Sequence, residues 1–511
     1  MTFVAARIRR PFLCTLLSAW AWAAEAQVQP LNVCAFGFNS HEELAAVRAQ
    51  LPADAFDFVD FSAELLVAES APWEERAASA NSGRNAADAA LSQLLALCAS
   101  DLRCDILVYS GEFAGEFFGR YGSSLSLQTL EEAACQQRCR SLFQRSQEVF
   151  LLACNTLASK DPDSRTPDQY LQVLLEHGFD RAAAERVVQL RYGPWGPSFS
   201  QAFLRIFAGV PRLYGFSSIA PNGVETASRL RRYFQFMGDY RRYLDRAFGS
   251  TDPNTQLLDA FRGTSLVQMS AMATSDQQAA ERDLICGIYD DTRTVEERLR
   301  IVHRLLARSD FLAFLPTIKL FLRRHPPERF VGLARHLVTD MHEDAAARDR
   351  VVGLLYVLHA SALQLELANL ARCLEWISGD EFRRLAVDAA RQLVVPPVSS
   401  EGVDVLCETS ERQPIGDQFR SEDLPEGLFH DAQGLRLVAC LSPPDERVSP
   451  RLAAGLESPD VWTRAWATFA LSRRLPLDDA VLKRLVPHLD DPSADVRQRV
   501  RSILSAQQAV R

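Results

Sequence analysis

The chain has 511 residues, more than one core usually fills, which points to two to four domains. With 47% hydrophobic and 24% charged residues, its composition is that of an ordinary globular protein. A formal net charge of −9 supplies no general basic field, which argues against nucleic acid as a partner. Local arginine clusters such as RLRRYF, Arg229–Phe234, lie on helical patterns and read as solvated faces.

The first 26 residues have the three parts of an export signal. Met1–Arg10 is basic. Pro11–Ala24 is an apolar run of 14 residues, too short to span a bilayer. Ala24-Glu25-Ala26 then places small residues at the two positions a signal peptidase inspects. Cleavage after Ala26 is expected, the alternative being a buried N-terminal helix. No later run is apolar and long enough to span a membrane. The expectation is an exported chain, periplasmic or secreted, with no membrane anchor after signal cleavage. Of the 11 cysteines, Cys14 leaves with the signal and ten face an oxidising compartment. Cys98 and Cys104, joined by the short ASDLR segment, are expected to form a bridge. Cys135 and Cys139, at i and i+4, can pair only with distortion. The pairing of the others cannot be read.

LNVCAFGF, Leu31–Phe38, reads as a buried strand. A helix follows, with Ser40 and Glu43 as a capping box. FDFVDFS is a second strand and Asn85–Ala99 a helix. DILVYSGEF, Asp105–Phe113, is a third strand ending in a glycine turn. Leu127–Phe143 is helical. EVFLLACNT, Glu148–Thr156, is the fourth strand, with Cys154 in the turn leaving it. Lys160–Pro197 is a largely helical insertion, Ser198–Val210 a helix, and Arg212–Pro221 the fifth strand. Strands alternating with helices imply a mostly parallel sheet covered on both faces, with ligands at the carboxyl ends of its strands. Gly111–Phe113 and Cys154–Thr156 both fall at that edge.

Beyond Val224 the pattern is helical with almost no strand signal. Residues 241–395 read as a helical region and 396–425 as a linker. Residues 426–511 contain a repeat. Arg451, Leu452 and Leu456 match Arg484, Leu485 and Leu489 at an offset of 33. Ser458, Asp460, Val461 and Arg464 match Ser493, Asp495, Val496 and Arg499 at an offset of 35. Helix pairs at this period stack into a solenoid, which offers a surface for a protein or peptide partner. SADVRQRVRSIL, Ser493–Leu504, resembles the second-helix start of HEAT repeats.

Four motifs in order, LVYSGEF, LLACNT, AFLRIFAGVPRLYGFSSIAP and VETASRLRRYF, resemble the caspase-like fold, more closely its CHAT branch. The resemblance covers about residues 31–240; the domain it implies is 27–240. It implies a caspase-like α/β fold, with a mostly parallel sheet between two layers of helices. It places the family nucleophile on Cys154 and the family histidine on Glu112. That departure matters, because an imidazolium lowers a thiol pKa whereas a carboxylate raises it. Gly111, Asn155 and Thr156 would line the cleft. Two histidines can be weighed as replacement bases. His41 follows the first strand, but it also reads simply as the first residue after a cap. His177, in LLEHGF, also reads as an ordinary helix C-terminal residue before Gly178. Cys154 itself can equally be a small buried apolar side chain.

Nothing in the sequence resembles a phosphate loop, a zinc site or a carboxylate pair, so no cofactor is expected. GEFAGEFFG, Gly111–Gly119, lacks the spacing of a nucleotide fingerprint. The leading expectation is an exported pseudopeptidase fused to helical repeats that bind a protein. The alternatives are an active cysteine peptidase using Cys154 with His41 or His177, and a non-catalytic scaffold with a filled cleft.

Overall fold

A computed structural model describes residues 29–510 apart from 39–40, 63–83, 100–101, 114, 119–123, 160–165, 177–180, 182–183, 185–186, 189–197, 273–275, 358–360, 397 and 399. The expected signal segment 1–26, Ser40 of the capping box and His177 lie outside the described residues.

The apolar runs near the N-terminus form one sheet. Its strands are β1 (Leu31–Gly37), β2 (Phe56–Asp60), β3 (Ile106–Ser110), β7 (Glu148–Leu152), β8 (Arg212–Phe216) and β9 (Leu266–Met269). They lie in the order β2-β1-β3-β7-β8-β9. All neighbours are parallel except β8 and β9. Continuous apolar runs suit these strands because both faces are covered. Leu107 and Tyr109 of β3 pack with helices Arg84–Cys98, Leu127–Cys135 and Phe199–Ile206. Ile106 and Val108 of the same strand pack with His41–Gln50, Gly223–Met237 and Thr255–Ala260. A second, antiparallel sheet of three short strands, β4 (Glu112–Phe113), β5 (Glu116–Phe118) and β6 (Ser124–Ser126), follows β3 directly.

Three sequence expectations change here. The fifth strand ends at Phe216, not at Pro221. The third splits after Ser110, where the chain turns into the small sheet. The main sheet is not complete by residue 240, because β9 pairs antiparallel with β8.

The expected Cys98–Cys104 bridge is replaced. Cys34 pairs with Cys104 and Cys98 with Cys139, with Cα–Cα distances of 5.7 and 4.7 Å. Sheet register decides this: Cys104 leads into β3 beside β1, which carries Cys34. Cys98 meets instead the 3-10 turn Gln137–Cys139. Cys135 is joined to Cys286 and Cys407 to Cys440. Among the described cysteines, Cys154 and Cys373 are free.

From Asp276 onward the described chain is helical, with one apolar core running from Ile285 to Ile503. The stretch read as a linker, 396–425, holds helix Ser400–Arg412, whose Val403, Val405, Leu406 and Cys407 are buried in that core. Its apolar spacing and the Cys407–Cys440 bridge make it part of the stack. The repeat keeps a single offset of 33. Arg464 Nη1 donates to the carbonyls of Ser458 and Pro459, both at 2.9 Å. Arg497 Nη1 donates to those of Asp491 and Pro492, at 2.6 and 2.9 Å. Asp460 caps Thr463 N–H as Ser493 caps Val496 N–H. The counterpart of Arg464 is therefore Arg497, not Arg499, and the 35-residue matches give way to this geometry. Cys135–Cys286 ties the helical part to the sheet. An Arg324–Glu132 ion pair at 2.7 Å makes a second link.

Candidate functional site

β3 and β7 run parallel with Ser110 opposite Leu152. Gly111–Glu112 and Ala153–Cys154 therefore leave the sheet side by side at its carboxyl edge, on strands about 4.8 Å apart. The turn after β7 is tightly bound. Asn155 adopts φ 61°, a left-handed conformation that asparagine tolerates better than most residues. Its N–H donates to Ser218 carbonyl at 2.7 Å. Its side-chain oxygen accepts from the Tyr170 hydroxyl on helix Pro167–Glu176, so the insertion packs onto the turn. Thr156 Oγ1 donates towards the carbonyls of Leu151 and Ala153 and accepts from Phe216 N–H, closing the turn onto β8. Gly215 makes this approach possible: a Cβ there would lie 2.7 Å from Thr156 Oγ1 and 2.8 Å from Leu157 Cγ.

Cys154 is a half-buried free thiol, and its sulfur accepts Ala220 N–H at 3.3 Å. Burial pushes the thiol from 9.0 up to about 11. The Ala220 N–H works against that rise, and the carboxylates of Glu112 and Glu43 add to it. Glu112 is half-buried at the start of β4, with Gly111 half-buried before it.

The side chain that helix His41–Gln50 sends towards this edge is Glu43. It is buried, and a carboxylate oxygen accepts the Ser110 hydroxyl. His41, two residues earlier, is exposed. The structure thus brings together Cys154, Glu112, Gly111, Asn155 and Thr156, and adds Glu43, Ser110 and Tyr170. Glu43 was hidden because the capping-box pattern already accounted for it. Tyr170 carries no local signal, since only the path of the insertion brings it to Asn155. Among the described residues, no three His, Cys, Asp or Glu side chains are grouped to hold a metal ion.

Comparisons of the chain with family models, with curated proteins and with solved structures find no match.

Proposed function

We propose that residues 31–269 form a caspase-like domain of the CHAT type that has lost peptidase chemistry. The helical region that follows is a HEAT-like stack that binds a protein partner. One observation carries this reading. Burial raises the Cys154 thiol to about 11 and the carboxylates of Glu112 and Glu43 add to that rise, so the thiol is protonated at neutral pH. A cysteine peptidase needs the opposite, a thiolate held by a neighbouring cation. The fold resemblance is supported by the placement of Glu112 and Cys154 two residues beyond the carboxyl ends of the adjacent parallel strands β3 and β7. The stack is supported by two helix pairs whose arginines bind equivalent loops 33 residues apart. Export is supported by four disulfides, which persist in oxidising compartments.

The test is labelling of the purified protein at pH 7 with a peptide mimetic bearing a thiol-reactive group. Wild type and Cys154→Ala are expected to label alike. Rapid labelling that disappears in Cys154→Ala would restore the active-peptidase reading.

A further inference from the structure

Beyond the arginine-rich stretch Arg229–Phe234, the chain carries two large aromatic side chains that nothing covers. Phe236 and Phe248 are 68% and 67% exposed. We propose that this surface docks the protein on an anionic lipid bilayer. The two rings would enter the headgroup boundary, with Arg232, Arg242 and Arg246 around them.

Both rings lie at one edge of the main sheet. Helix Gly223–Met237 starts just after Ala220, whose N–H meets Cys154 at the carboxyl edge. Its 15 residues span about 22 Å, so Phe236 in its last turn lies near the opposite edge. Tyr240, four residues on, places its hydroxyl on Glu148, the first residue of β7. Arg212, the first residue of β8, donates to the carbonyls of Ala247 and Ser250, which bracket Phe248. Both phenylalanines therefore sit at the amino edge of the sheet, and a docked molecule would keep the Cys154 edge towards water.

The charges complement such a surface. Arg229 and Arg241 are paired within the helices, to Glu225 and Asp245. Arg232, Arg242 and Arg246 are exposed and make no ion pair among the described residues. The Arg232 guanidinium lies 5.5 Å from the Phe236 ring centre. Asp239 is occupied in capping Arg242 N–H. Exposed aromatics flanked by arginines suit a bilayer interface, where rings enter the apolar boundary and guanidinium groups reach the phosphates. Among the described residues no helix is long and apolar enough to cross a membrane, so the contact is peripheral.

The test is co-sedimentation of the full protein with phosphatidylcholine vesicles, with and without phosphatidylglycerol. Binding is expected to the anionic vesicles, falling with added salt and weak on phosphatidylcholine alone. Phe236→Ser with Phe248→Ser should weaken it by about tenfold or more. Each Arg→Gln change should weaken it about fivefold. Phe236, Phe248, Arg232, Arg242 and Arg246 are all exposed, so unchanged melting will show that the variants are folded. Absence of sedimentation with anionic vesicles overturns the proposal. So does binding that the phenylalanine changes leave intact.

Discussion

Burial pushes the Cys154 thiol up to about 11, so it is almost wholly protonated at pH 7. Alkylation by iodoacetamide follows the thiolate, so its rate should climb until about pH 11. Cys373 is also pushed up to about 11, mainly by burial, so the measurement belongs in a Cys373→Ser background. Glu112→His replaces a repelling carboxylate by a group that can carry a positive charge. The inflection should then move down by about a unit or more. A wild-type inflection below about 8.5 would show that some cation already activates the thiol. A second residue-scale prediction concerns Arg212, fully buried against Glu148 at 2.7 Å. The same Glu148 oxygen accepts the Tyr214 hydroxyl at 2.7 Å. Arg212→Met strands a buried carboxylate and should cost about 3–5 kcal/mol in urea unfolding. Adding Glu148→Gln should recover part of that loss. Equal stability of the single and double variants would mean that the pair is not coupled.

At the scale of elements, the links between helices carry the clearest test. Arg464 reaches Asp491, which is 2% exposed, at 2.8 Å. Burial acts to raise the Asp491 pKa, but the hydrogen bonds from Arg464, Ser493 N–H and His488 more than offset it, so the carboxyl titrates below its usual range. A depressed carboxyl pKa contributes stability above the unfolded value of about 3.9 and loses it as pH falls through the folded value. Arg464→Ala should therefore cost about 2 kcal/mol at pH 7, with the gap to wild type narrowing in acid to the share carried by the Ser458 and Pro459 carbonyls. A gap of unchanged size below pH 2 would show that the Asp491 pair contributes nothing. Peptide mapping without reductant should find Cys34–Cys104, Cys98–Cys139, Cys135–Cys286 and Cys407–Cys440 linked. A linked Cys98–Cys104 pair would contradict the register of β1 and β3.

What the sequence reveals follows from how each element is stabilised. β1, β3, β7 and β8 are legible because burial on both faces makes each a mostly apolar run, with Glu148 and Arg212 pairing at the starts of β7 and β8. β9 is not, because LVQM is four residues long and largely half-buried at a sheet edge. Helix Ser400–Arg412 is masked by the flanking prolines and by Gly402, and tertiary packing overrides that local signal. The cysteine and its facing Glu112 are legible from strand ends. Glu43 is not, because its role depends on which way the next helix faces. Disulfide partners depend on register between distant segments, so the short Cys98–Cys104 spacing misleads.

For the whole molecule, the boundaries of folding matter most. Truncation after residue 240 removes β9, helix Thr255–Ala260 and Cys286, all of which complete or tie down the sheet. Such a fragment should give no cooperative melt by calorimetry. Truncation after residue 396 divides the core that runs from Ile285 to Ile503, exposing the surface on which Val403 and Leu406 pack. It should broaden or abolish the transition of the helical part. A sharp transition in the 240-residue fragment would show that the edge strand is dispensable.

The constant 33-residue geometry has a consequence for how such a chain can lengthen. Each unit closes its own loop with one arginine, and Arg464 also reaches forward to Asp491 in the following loop. A copy of the second unit would carry both halves of this contact, Arg497 reaching forward and Asp491 receiving, whereas the first unit has Ser458 where the second has Asp491. The long helix Ala494–Val510 closes the described part of the stack. The reach of the helical surface is thus adjustable by gene duplication in steps of one helix pair, while the sheet and its cysteine edge stay unchanged.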